Sequence, residues 1–75
     1  MALPFRIRTT RIFANYLLKI QSTEKFKKGV DAIVDIRGTA PSSAETINKE
    51  ILGGLITKKE TAGLQEEVDY IKSKL

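Results

Sequence analysis

Two hydroxyl-to-glutamate spacings of one kind, Ser42-x-x-Glu45 and Thr57-x-x-Glu60, with Gly53-Gly54 between them, constrain the second half of this chain more than any other feature. Each spacing is that of a capping box, in which the hydroxyl accepts from the third helical amide and the glutamate reaches back to the amide of the capping residue itself. Glycine after an apolar turn takes the left-handed conformation that closes a helix. The pattern predicts helices over Ser42–Leu52 and Lys58–Lys74, joined by Gly53-Gly54-Leu55-Ile56-Thr57. Residues 39–75 are therefore expected to form a helical hairpin, with Gly63 weakening the interior of its second helix by about 1 kcal/mol.

The first half reads differently. Leu3 to Thr9 alternates Leu3, Phe5 and Ile7 with Pro4, Arg6 and Arg8, the period of a half-buried strand. From Arg11 the period lengthens, with Ile12, Phe13, Tyr16, Leu17 and Ile20 at helical spacing and Leu18 off the stripe. A helix from about Arg11 to Gln21, running as far as Lys28 on the longer reading, follows; a strand over Ile12 to Ile20 stays open. Val30 to Arg37 is the clearest strand, β-branched and alternating Val30, Ala32, Val34 and Ile36 against Asp31, Ile33, Asp35 and Arg37. Gly38 to Ser43 then forms a loop, with Ala40 pushed out of the helical region by Pro41. The expected fold class is α+β: a single β-α-β-α-α domain over residues 1–75, with a two-stranded sheet, a basic half (1–38) and the C-terminal helical hairpin (39–75).

At 75 residues the chain makes one small domain that buries only about 60% of its unfolded surface, so packing or assembly must supply its stability. It has no cysteine and no histidine, which removes disulfides and the commonest metal ligands. No metal and no cofactor are expected. No run approaches the roughly 20 apolar residues that cross a bilayer, so no membrane partner is expected and the compartment is read as cytoplasmic. Residues 1–23 carry Arg6, Arg8, Arg11 and Lys19 without an acid, the composition of a transit peptide. Removing them would leave about 50 residues, too few to fold comfortably, so they are read as part of the domain.

The net charge of +4 conceals an asymmetry: residues 1–38 hold eight bases against three acids, and the remainder five against six. The basic half suits a polyanion, with Arg6, Arg8, Arg11, Lys25, Lys27 and Lys28 as the candidate contacts to nucleic acid. If the hairpin were a DNA-binding helix-turn-helix, Lys58, Lys59, Thr61 and Gln65 would face the duplex, but Glu60, Glu66, Glu67 and Asp69 on the same helix would be repelled by phosphates. Glu66, Glu67 and Asp69 read most simply as a solvated side.

For catalysis the chain offers no nucleophile and base in a recognisable pattern, and no small-molecule substrate is evident. Asp31 and Asp35 on one strand face would stand roughly 13 Å apart, too far to share a bond or a metal. The sharpest chemical suggestion is an anion site at a helix N-terminus built from Arg37, Gly38, Ser42 and Ser43. An ordinary capped turn is the simpler account.

Short strands and a narrow apolar stripe on the last helix point to assembly. Leu64, Val68, Tyr70, Ile71 and Leu75 are the candidate partner residues, although packing of that stripe on Ile47, Ile51 and Leu55 of its own hairpin explains most of it. The function expected is a non-enzymatic interaction module with a protein partner or a second copy, a subunit or adaptor of a virion, ribonucleoprotein or regulatory complex. The alternative is a nucleic-acid-binding regulator that uses the basic N-terminal half.

Overall fold

A computed structural model describes residues 7–75 and contains no strand among them. Among the described residues four helices enclose one apolar core. Helix α1 is Ile7–Leu17, α2 is Thr23–Thr39 and α4 is Gln65–Ser73. Helix α3 covers 44–61 as three continuous pieces: α-helical Ala44–Thr46, a π-helical stretch Ile47–Leu52 and α-helical Gly53–Thr61. The α+β expectation is thus overturned. Strand Leu3–Thr9 lies partly outside the described residues, and its end, from Ile7, is the first turn of α1; the next helix starts and stops about four residues earlier than Arg11–Gln21.

The stretch read as the clearest strand, Val30–Arg37, is the second half of α2. A strand would bury Val30, Ala32, Val34 and Ile36 and expose Ile33. Instead Phe26, Val30 and Ile33, at i, i+4 and i+7, are all fully buried, while Ala32, Val34 and Ile36 are half-buried. Nucleation upstream favours the helix: Ser22 is extended (φ −82°, ψ 120°), its Oγ accepts from the Lys25 amide at 3.3 Å, and Glu24 sits in the first turn. With the helix begun, β-branching costs only tenths of a kcal/mol per residue, far less than burial of Phe26, Val30 and Ile33 returns. Helix α2 stops where the sequence says it must, at Ala40 before Pro41, and Pro41–Ser43 makes one 3₁₀ turn into α3.

Neither capping box forms. Ser43, not Ser42, precedes α3 and makes no side-chain cap, and Glu45 pairs with Lys49 at 2.9 Å instead of reaching back. Thr57 lies mid-helix, its hydroxyl donating to the Gly53 carbonyl at 3.1 Å. Gly53 itself is helical (φ −61°), so α3 passes straight through the glycine pair. The chain turns at Gly63, the one described residue with positive φ (75°). There the Leu64 amide bonds to the Lys59 carbonyl and the Gly63 amide to the Glu60 carbonyl, each at 3.0 Å, the two bonds of a Schellman cap. The hairpin therefore exists, but its hinge is 62–64.

The π-helical stretch has a packing reason. Ile47, Ile51, Leu55 and Lys59 recur every four residues and are all buried. A straight α-helix would rotate such a stripe by about 40° per step. The wider π turn, marked by the Gly53 amide bonding to Asn48 O, takes up part of that drift and lets Leu52 bury as well. The core joins Ala14 and Leu17 of α1, Phe26, Val30 and Ile33 of α2, the α3 stripe and Ile71 of α4.

Candidate interaction surface

Helix α1 can show only one of its two apolar stripes to this core. Thr10, Ala14 and Leu17 take the inner face, and Ile12 and Tyr16, one turn apart, are left 63% and 59% exposed. Helical spacing puts both on one stripe with Leu17 and leaves Leu18 off it, yet Leu18 packs against the core. The signal that separates them is the i, i+4, i+7 set Thr10, Ala14, Leu17, whose small members permit close approach of α1 to α2. Gly29 of α2 faces Leu17 across that contact. Helix α1 carries no acidic residue.

The six candidate polyanion residues are divided. Arg6 lies outside the described residues. Arg8, Lys25 and Lys28 are exposed and make no ion pair among the described residues. Lys25, four residues before Gly29, lies on the α1 flank of α2, with Lys28 one turn further on. Arg11 pairs with Glu50 of α3. Lys27 points to the opposite flank, pairing with Glu66 at 2.9 Å with its ammonium 5.3 Å from the centre of the Tyr70 ring.

The residues of the suggested anion site are not gathered at a strand-to-helix loop. Gly38 is in the last turns of α2, Ser42 and Ser43 are in the 3₁₀ turn, and the Ser43 amide is already bonded to Ala40 O at 2.9 Å. Arg37 turns away from them, donating through Nη1 to Asn48 Oδ1 at 2.7 Å and to the Lys74 carbonyl at 2.8 Å. It ties α2 to α3 and supplies a cation at the C-terminal end of α4, where carbonyls lack helical partners.

Of the candidate partner residues, Val68 and Ile71 are fully buried in the chain's own fold, leaving Leu64 (43%) and Leu75 (58%) exposed. The Tyr70 hydroxyl donates to Asp31 Oδ1 at 2.5 Å, and the Lys74 ammonium stands 4.9 Å from the ring centre. That hydrogen bond, with lesser help from burial and the charge of Asp31, raises the Tyr70 phenol above its ordinary 10.0.

Two residues assigned to solvent are inside. Lys59 and Glu67 are buried and paired at 2.8 Å between α3 and α4, so Lys59 is not offered to a nucleic acid and Glu67 is not on a solvated side. Asp31 and Asp35, on a helix and not a strand, stand about 6 Å apart along its axis. Among the described residues no group of three acidic, histidine or cysteine side chains is placed to hold a metal ion, and no helix is long and apolar enough to cross a membrane.

Beside the Ile12–Tyr16 face an open groove of about 170 Å³ runs between α1 and α3. Its floor is Ala14, Leu18, Ile51, Gly54 and Leu55; Arg11, Asn15, Glu50 and Lys58 stand along it. No protein-family model matches the chain, and no curated protein or solved structure shows significant similarity to it.

Proposed function

We propose that the chain is a non-enzymatic interaction module, a small subunit or adaptor, that docks a protein partner on the outer face of α1. The observation that carries this reading is the exposed pair Ile12 and Tyr16, an aliphatic and an aromatic side chain stacked one turn apart on a helix without acids. Single exposed apolar residues are ordinary on a protein surface; adjacent large ones with a polar rim mark contact sites, and tyrosine is enriched in them. A photo-crosslinking residue at position 16, compared with one at exposed Lys49 on α3, tests it in the native host. A defined cross-linked species at 16, absent at 49 and lost on Ile12→Glu, is expected. The same species at both positions, or none at either, would count against the reading.

A second reading has its own support. Arg8, Lys25 and Lys28 are exposed cations that make no ion pair among the described residues, and such groups bind phosphates by releasing counterions. A salt titration of RNA and duplex-DNA binding tests it: a steep loss of affinity with salt, weakened by Lys25→Glu/Lys28→Glu, supports a nucleic-acid role, and no binding at low salt removes it.

A further inference from the structure

Gly54 is a glycine that the fold does not need. It lies inside α3, its φ is not positive, and a Cβ built there would meet nothing within 4 Å. Glycine inside a helix is less favourable than alanine, so neither backbone conformation nor internal packing accounts for it. Gly63 is used by its turn and Gly29 by Leu17; Gly38 is as open as Gly54, but of the two it is Gly54 that lines the groove between α1 and α3.

The walls of that groove say what would enter it. Ala14, Leu18, Ile51 and Leu55 are aliphatic, and the volume of about 170 Å³ is that of one large apolar side chain. Among the described residues Glu50 is the one acid along the walls, and its charge is met by Arg11 on the facing helix. Lys58 has no acidic partner among the described residues, nor does Arg8, one turn before Arg11. Asn15 offers both a donor and an acceptor on the α1 wall. An apolar slot with the unpaired cation Lys58 on its wall complements an apolar side chain with a carboxylate beside it.

We infer that the groove over Gly54 receives an acidic amphipathic helix of a protein partner, with one apolar side chain seated on Ala14, Leu18, Ile51 and Leu55 and a carboxylate on Lys58. The missing side chain at Gly54 lets the partner's backbone approach α3 closely, as glycine does at helix contacts. Helix-in-groove recognition of this kind repeats apolar anchors at i, i+3 or i+4. The inference rests on the interaction-module reading and names the partner's chemistry; Asn15, one turn after Ile12, joins the groove to the α1 face.

The test is selection of a displayed library of random helical 18-residue peptides on the full chain, followed by affinity measurement against variants. Gly54→Leu fills the slot and keeps the fold, which its thermal melt checks, since leucine is a better helix former in the open space there. Enriched peptides should carry apolar residues at helical spacing flanked by Asp or Glu. They should lose at least tenfold in affinity on Gly54→Leu and again on Lys58→Glu. Peptides that are basic or uncharged, that bind Gly54→Leu as well as the original chain, or that fail to appear would overturn the inference. So would a dimer that Gly54→Leu converts to monomer in sedimentation, because the occupant would then be a second copy. Peptides that are lost on Tyr16→Ala but keep their affinity for Gly54→Leu would sink the groove and leave the α1 docking face standing.

Discussion

Lys59 and Glu67 form an ion pair in the interior: Nζ lies 2.8 Å from Oε1, with the two side chains 6% and 4% exposed. The same ammonium stands 4.4 Å from the centre of the Phe26 ring, so one charge joins α2, α3 and α4. Oε1 makes no well-directed hydrogen bond, which leaves the contact chiefly one of charge with charge. Burying two ions costs several kcal/mol each, and their attraction returns that only with good geometry. The pair therefore specifies how the helices meet more than it stabilises them.

Removing one partner should be severe. Lys59→Met would strand a buried carboxylate at a cost of about 3–5 kcal/mol. A domain of this length has about 4–11 kcal/mol in total, so the variant should lose a large fraction of its stability. The double variant Lys59→Met/Glu67→Leu should recover most of the loss or exceed the original chain. Urea unfolding followed by circular dichroism decides it; a double variant no better than the single would mean that the pair is a net source of stability.

Two glycines should respond oppositely to the same change. Gly63→Ala forces a Cβ into the left-handed region of the Schellman cap and should cost about 1 kcal/mol. Gly54→Ala removes backbone freedom at a helical position with open space and should gain up to about 1 kcal/mol. In a domain of this size each corresponds to a shift of roughly 4–8 °C in Tm. Shifts of the same sign would contradict a hinge at 62–64.

That residues 42–75 are mostly helical was legible in the sequence, but where the chain folds back was not. Gly53-Gly54 and Gly63 offer equal freedom to turn; the outcome turns on Ile47, Ile51, Leu55 and Lys59, whose continuous burial needs the helix to run through the first pair. The capping spacings misled because a hydroxyl three residues before glutamate is also a common surface pattern; Ser22, with Lys25 in place of a glutamate, is the residue that caps. Alternation over 30–37 arises because a helix with apolar residues on an inner stripe and both shoulders also places them at every second position. At the surface, charge alone could not separate Arg8, Lys25 and Lys28 from the paired Arg11 and Lys27, since the partners Glu50 and Glu66 are each 39 residues away in sequence.

Close approach of α1 and α2 should be measurable at Gly29. A methyl group there would collide with both Cδ atoms of Leu17, which is 1% exposed and has little room to move. Gly29→Ala gains helix propensity of up to about 1 kcal/mol but incurs an overpacking cost of about 1–3 kcal/mol. A net loss is expected. Leu17→Ala alone should cost about 2–5 kcal/mol through the cavity it leaves, and less in the Gly29→Ala background, where the new methyl occupies part of that space. A double-mutant cycle should give a coupling of about 0.5 kcal/mol or more; additive losses would mean that α1 and α2 do not meet there.

The Tyr70–Asp31 contact carries a pH dependence whose sign is fixed by the proton. The hydrogen bond exists only while the phenol is neutral, so the folded chain holds that proton above the ordinary value of 10.0. Its contribution to stability is fully present below pH 10.0 and is lost as pH rises through the raised folded value. The chain has two tyrosines, so Tyr16→Phe leaves Tyr70 as the sole phenol and its ultraviolet titration can be followed directly. In that background the midpoint should lie above 10.0, and adding Asp31→Asn should bring it down, since a neutral amide neither accepts as strongly nor repels the phenolate. Equal midpoints with and without Asp31 would show that α2 and α4 are not joined by this bond in solution.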